Sequence, residues 1–191
     1  NNGTFSGIDC QTISMKAARP EDFVDNPVYP SPSNVKIVNV PHGMSVSEEI
    51  VTEALEEFKP MWAHMSHWET GSGRINDVEG FNKACEKFGV LGLIDSVSSL
   101  GIEDFSIDDY SSIVGWASCP QKGVLGLPLT YAPVSFKDKF IEIVAKRGCY
   151  NYVHHPILAA RHWGIIDGSD VEHAAYHQTH SCYAVASFHE A

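Results

Sequence analysis

No apolar run in this 191-residue sequence approaches the length of a membrane span, and no cluster of lysine and arginine forms a basic block. The first absence argues against a membrane-crossing helix. The second, with 13 basic residues against 24 acidic ones and a formal net charge of −11, argues against a nucleic-acid or anionic-membrane surface. It still leaves room for a local phosphate site. The start, Asn1-Asn2-Gly3, lacks the charged and apolar stretches of a secretory leader, so none is expected. The five cysteines (Cys10, Cys85, Cys119, Cys149 and Cys182) show no Cys-x-x-Cys spacing. Neither a disulfide framework nor a zinc ribbon is indicated, and free thiols in a reducing intracellular compartment are expected. There is no Walker A loop, no Gly-x-Gly-x-x-Gly fingerprint and no Gly-x-Ser-x-Gly elbow. Phosphoryl transfer, dinucleotide redox and serine-hydrolase chemistry therefore have little support. An initiator methionine is also lacking, and the chain is expected to be a piece of something longer.

What is present is globular in composition, 43% hydrophobic and 19% charged, and long enough to bury a sizeable core. Residues 11–34 are rich in Pro, Asp, Asn and Ser and read as a long loop or insertion. Val35–Val40 is short and β-branched, a strand by pattern. Ser45 or Ser47 should cap a helix through about Phe58, with Glu48 and Glu49 in its first turn and an apolar stripe along Ile50, Val51, Ala54 and Leu55. Met61–Ser66 reads as a strand. Asp77 should cap a helix over Val78–Phe88 that Gly89 ends. Val90–Ile94, delivering Asp95, and Ser112–Ala117 read as buried strands. Thr130–Val134 reads as a further strand, Phe136–Lys146 and Ile157–Trp163 as helices, and Val171–Phe188 as a last helix within 165–191. Such alternation implies an α/β fold, a three-layer α/β/α sandwich around a mostly parallel sheet. The loops after Ser66, Asp95 and Ala117 then share one edge, where ligands of such sheets bind.

Two of those loops carry complementary chemistry. One presents Asp95 at a strand end, followed by Ser96-Val97-Ser98-Ser99-Leu100-Gly101. The other presents Lys122 after Gln121 in a short Gly- and Pro-containing turn. Pyridoxal 5'-phosphate (PLP) chemistry needs such a pair, a lysine amine for the Schiff base and a carboxylate that keeps the pyridine nitrogen protonated. With Glu69-Thr70-Gly71-Ser72-Gly73, these segments resemble the class V PLP-dependent aminotransferases of fold type I, most closely the alanine–glyoxylate and serine–pyruvate branch.

The resemblance implies that 1–191 is the central portion of a PLP-binding large domain. It implies Lys122 as the Schiff-base lysine and Asp95 as the partner of the pyridine nitrogen. Val97 would pack under one ring face, Thr70 would bond the ring hydroxyl or phosphate region, and Gln121 would bond the phosphate. Asn2-Gly3-Thr4-Phe5-Ser6-Gly7 resembles the segment whose aromatic residue, here Phe5, stacks on the pyridine. Tyr150 or Tyr152 would reach the phosphate of a partner subunit, which implies a homodimer. A small amino acid of the alanine or serine type and a 2-oxo acid of the glyoxylate or pyruvate type would be the substrates, in the cytosol, a peroxisome or a mitochondrion. The chain departs from the pattern at Pro120 and at Leu127-Pro128-Leu129. It also lacks the upstream phosphate loop and the C-terminal small domain. Three other readings compete. A catalytically inactive relative could serve as a binding or assembly module, and a PLP lyase could use the same residues. A metal site could form on His173, His177 and His180, three of ten histidines, at helical spacing. That last spacing lacks an accompanying carboxylate, so a solvated helix and no metal is the expectation there.

Overall fold

Two capped helices flank the first strand, and their caps are readable residue by residue. Helix α2 (Glu48–Phe58) starts after Ser47 with two glutamates in its first turn, and it stops where Lys59 turns left-handed at φ 52°. Helix α3 (Val78–Phe88) starts on Asp77, whose carboxylate accepts the Gly80 N–H at 2.8 Å, and ends on Gly89 at φ 67°. In this computed structural model the described residues are 1–24, 30–123, 126, 132–149, 151–165, 177 and 185–186. The remaining elements are helix α1 (Thr4–Ala17), strands β1 (Trp62–Ser66), β2 (Trp68–Glu69), β3 (Arg74–Ile75), β4 (Leu91–Asp95), β5 (Ile113–Ala117) and β6 (Val134–Phe136), and helices α4 (Asp138–Arg147) and α5 (Pro156–His162). Short 3₁₀ turns cover Pro20–Phe23 and Ile107–Asp109.

The main sheet runs in the order β1-β4-β5-β6, with β1, β4 and β5 parallel and β6 antiparallel at the edge. Register partners share a face, which divides the sheet cleanly. Ala63, Met65, Ile94 and Trp116 face α2 and α3 and join the core with Val51, Leu55, Val78, Phe81 and Cys85. Burial there pushes the Cys85 thiol up to about 12, so it is an inert core residue. The opposite face carries Trp62, His64 and Ser66 on β1, Leu93 and Asp95 on β4, and Phe136 on β6. Helix α4 covers part of it, with Phe140 stacked on Phe136 at 4.1 Å between centroids and edge-on to Trp62 at 5.8 Å. The expected three layers are present, and Ser66, Asp95 and Ala117 end their strands on one edge.

Three expectations need correction. Helix α1 extends through Ala17, so the loop expected over 11–34 begins only after it. This helix buries Ser6 and Ser14 alone, so it has no apolar stripe to betray it. Val35–Val40 is extended but not part of either sheet. It bonds residue 1 instead, the Asn1 amine donating to the Val38 carbonyl at 2.8 Å and the Val40 N–H to the Asn1 carbonyl at 2.9 Å. The strand expected at Thr130–Val134 lies at Val134–Phe136, where Phe136 lies opposite Gly115 in the antiparallel pair. A Cβ at Gly115 would come within 2.5 Å of that ring. Residues 130–131 are outside the described residues, as are 166–176, which hold the start of the last expected helix.

Without an apolar stripe, α1 is held at its beginning. Glu69 is fully buried, and its carboxylate accepts the N–H of Ser6 at 2.7 Å, of Phe5 at 3.2 Å and of Gly71 at 2.8 Å. The first two are orphan donors at a helix N-terminus, where a negative charge also meets the helix dipole favourably. Burial pushes the Glu69 carboxyl up, but the hydrogen bonds from Ser6, Gly71 and Phe5 outweigh it and hold the carboxyl below its ordinary value. Gly3 makes room for this, since a Cβ there would lie 2.4 Å from Glu69 Cγ. Asn2 adds a second tie. Its amide donates at 2.8 Å both to the Met44 carbonyl and to Asn76 Oδ1, and Asn76 in turn donates to the Ser66 carbonyl at 2.7 Å.

Glu69→Ala leaves these buried N–H groups without an acceptor, at about 1–3 kcal/mol each. The variant should lose about 3 kcal/mol or more in a urea melt; a loss within experimental error would show that α1 is anchored elsewhere. Because the folded carboxyl is depressed, its contribution is present above the ordinary value of 4.5 and fades as pH falls through and below it. Acidification should therefore narrow the gap between wild type and the variant.

Candidate active site

Lys122 owes its position to the turn that follows β5. The Ser118 N–H donates to the Pro133 carbonyl at 2.9 Å, and its hydroxyl donates to the Ser96 carbonyl at 3.0 Å, tying the loops after β5 and β4 together. Gly123 then passes so close to Leu100 that a Cβ would lie 2.2 Å from the Leu100 carbonyl oxygen. Only glycine allows that approach. The half-buried Lys122 is thereby aimed across the strand edge. Its Nζ donates to Thr70 Oγ1 at 2.9 Å and reaches Ser98 Oγ at 3.4 Å. The Thr70 and Ser98 hydroxyls are hydrogen-bonded to each other. The same Nζ stands 4.2 Å from the centroid of the Phe5 ring, a cation–π contact.

Four segments distant in sequence thus meet at one amine: α1 through Phe5, the β2–β3 turn through Thr70, the β4 loop through Ser98, and the β5 loop through Lys122. Asp95 ends β4 beside them, its Oδ1 accepting the Val97 N–H at 2.8 Å. Val97 is half-buried in the same turn. Ser66 is the register partner of Asp95, and its hydroxyl donates to Asp9 Oδ2 at 3.1 Å. Burial, and next the charge of Asp95, push the Asp9 carboxyl from 3.8 up to about 6.

The structure brings together Phe5, Thr70 and Lys122, with Asp95 and Val97 on the adjoining loop. Gln121 lies next to Lys122 but is exposed. Tyr152 does not join the cluster. It is 62% exposed and its hydroxyl donates to the His177 carbonyl at 3.2 Å, with the two rings 4.7 Å apart. Tyr150, His173 and His180 lie outside the described residues. Sequence reasoning gave no part to Ser98, Glu69 or Asp9. Ser98 was within reach of it, as a hydroxyl just past Asp95 in the loop expected to face Lys122. Asp9 gave no such signal and Glu69 entered only as the first residue of its motif, because their bonds to Ser66, Phe5 and Ser6 are distant in sequence.

Three relatives fit this geometry. The (S)-ureidoglycine–glyoxylate transaminase of Bacillus subtilis is 24% identical over 157 residues, which cover 74% of this chain and 36% of that enzyme. The alanine–glyoxylate aminotransferase of Drosophila melanogaster is 24% identical over 162 residues, 83% of this chain and 40% of the enzyme. The crystal structure of an alanine–glyoxylate aminotransferase from Nostoc sp. superposes with a TM-score of 0.73 at 26% identity, covering 99% of this chain and 51% of that one. No family model matches the sequence. The chain therefore spans about half or less of the length of these relatives. Among the described residues no helix is long and apolar enough to cross a membrane. The chain is a homologue of the alanine–glyoxylate and ureidoglycine–glyoxylate aminotransferases, and it shares their fold, that of the PLP-dependent transferases of fold type I.

Proposed function

We propose that the protein carrying this chain is a PLP-dependent aminotransferase, and that 1–191 is the central portion of its cofactor-binding domain. One observation carries the reading: the Lys122 amine lies 4.2 Å over the Phe5 ring and 2.9 Å from Thr70 Oγ1, at the sheet edge where β4 delivers Asp95. An amine, an aromatic face and a carboxylate are the groups that PLP requires of its site, and they converge here from separate segments. They fit the cofactor. When bound, it supplies an electron sink for the electrons released as the substrate Cα–H bond breaks.

The chain's own residues then have defined tasks. Lys122 would supply the amine that holds the aldehyde. With a substrate amine in place, Lys122 would serve as the base that accepts the Cα proton and delivers it to the former aldehyde carbon, across the nitrogen from Cα. Thr70 and Ser98 orient Nζ at the sheet edge. Phe5 offers a flat face for stacking, and Val97 an aliphatic one. Asp95 would hold a proton on the ring nitrogen. Gln121, beside Lys122 and exposed, would donate to a phosphate. Tyr150 or Tyr152 would contact the partner subunit's cofactor in a homodimer. The substrates would be a small amino acid of the alanine or serine type and a 2-oxo acid of the glyoxylate or pyruvate type, as the names of the relatives support. The free thiols of Cys10, Cys85, Cys119 and Cys149 support an intracellular location.

Two variants test the assignment in the full-length protein. Lys122→Ala should take up no covalent cofactor and lose nearly all amino transfer; retention of either would remove Lys122 from its role. Asp95→Ala should lower the turnover of a small amino acid by about 10²–10⁴-fold, the range that positioned proton-holding groups supply. Its melting temperature should change little by comparison. Turnover at the wild-type rate would exclude Asp95.

A further inference from the structure

Asp9 is a carboxylate that none of the tasks above uses. It lies four residues after Phe5 on α1, so both project from one face of the helix. Phe5 meets Lys122 from that face, and Asp9 meets the ends of β1 and β4. Its Oδ2 accepts the Ser66 hydroxyl at 3.1 Å. Ser66 and Asp95 are register partners on adjacent parallel strands, so their side chains project from one face of the sheet. Asp9, bonded to Ser66, therefore stands at the strand end beside Asp95, and the charge of Asp95 acts on it. Asp95 already takes the Val97 N–H on Oδ1, so it is fixed in orientation. Two carboxyl groups in contact resist double ionisation, and one proton held between them turns repulsion into a hydrogen bond.

We propose that Asp9 is a second carboxylate of the ring-nitrogen subsite. It shares a proton with Asp95 in the cofactor-free protein and gives that proton up to solvent when a protonated pyridine ring arrives at Asp95. The proposal rests on the PLP reading. Its effect would be to set a second negative charge behind Asp95, and so to favour the protonated ring. Asp9 acts through Asp95 and is a positioning residue in this account.

Charged and titratable groups face the pair from each neighbouring element. Glu69 on β2 adds a negative charge toward Asp9, and it works in the same upward direction as burial and Asp95. The Ser66 hydroxyl on β1 works the other way. The imidazole of His64, two residues before Ser66 and on the same face of β1, faces Asp95. The free carboxyl of Asp9 lies at about 6, with burial and then Asp95 as its main causes. A cation at Asp95 lowers it. Proton release on binding is therefore greatest at and just below pH 6, and this part of the affinity rises with pH up to that point and then levels off.

Two measurements test this. In cofactor-free protein, carboxyl ¹³C NMR should show one aspartate titrating near 6. That resonance should be missing in Asp9→Asn and should move to lower pH in Asp95→Asn. An Asp9 that titrates in the ordinary aspartate range would overturn the shared proton, whether or not the protein binds PLP. Calorimetry of PLP binding to the full-length protein in buffers of different ionisation enthalpy then counts protons just below pH 6. Wild type should release more than the isosteric Asp9→Asn, and equal release would overturn the linkage. A wild type that takes up no PLP at all would overturn the cofactor reading and the linkage with it.

Discussion

The carboxylate of Glu69 holds the site together. It lies buried between the start of α1 and the β2–β3 turn, and it gathers N–H groups from both. A helix with only two serines buried cannot be kept in place by apolar contact, so its orientation rests on this junction, on Asn2 and on the Asp9–Ser66 bond. The consequence for function is geometric. Glu69 fixes Phe5 through the Phe5 amide, and it fixes the turn that carries Thr70. Lys122 touches both. One buried charge thus determines whether an aromatic face and a hydroxyl stand on two sides of one amine.

The sheet separates stability from chemistry. Its α2/α3 face is apolar and closed, with Ile94 and Ile113 almost wholly buried. Its other face becomes polar toward the strand ends, through His64, Ser66 and Asp95. Parallel strands end on the same side, so the turns after β1, β4 and β5 converge without further design. The close approach of Gly123 to Leu100 and the Ser118–Ser96 bond join two of those turns into one surface. Lys122 and Ser98 are near each other for that reason.

Local signals in the sequence were sufficient for the core of the fold. Asp77 and Gly89 bracket α3 by capping and by a left-handed turn, which depend on neighbours only. The strands ending at Ser66, Asp95 and Ala117 show as apolar runs because both of their faces meet other layers. Short motifs singled out Phe5, Thr70, Asp95 and Lys122, and the fold brings their segments to one edge. What stayed hidden depends on contacts distant in sequence. Helix α1 has Ile8, Ile13 and Met15 exposed, so its periodicity carried no message, and its anchor lies at Glu69. Val35–Val40 has the composition of a strand but bonds residue 1 rather than a sheet, and composition cannot distinguish the two. Strands β2 and β3 are two residues each, too short for an alternation to register. Asp9 gains its meaning only when the register of β1 on β4 is known.

The most direct test of the account is reductive trapping: PLP is added to the purified protein, borohydride is applied, and the peptides are mapped by mass. The account requires a phosphopyridoxyl group on Lys122 and on no other lysine. A label on a different lysine, or none in full-length protein, would contradict it. The convergence of Phe5, Thr70, Ser98 and Lys122 would then be a structural arrangement without the proposed chemistry.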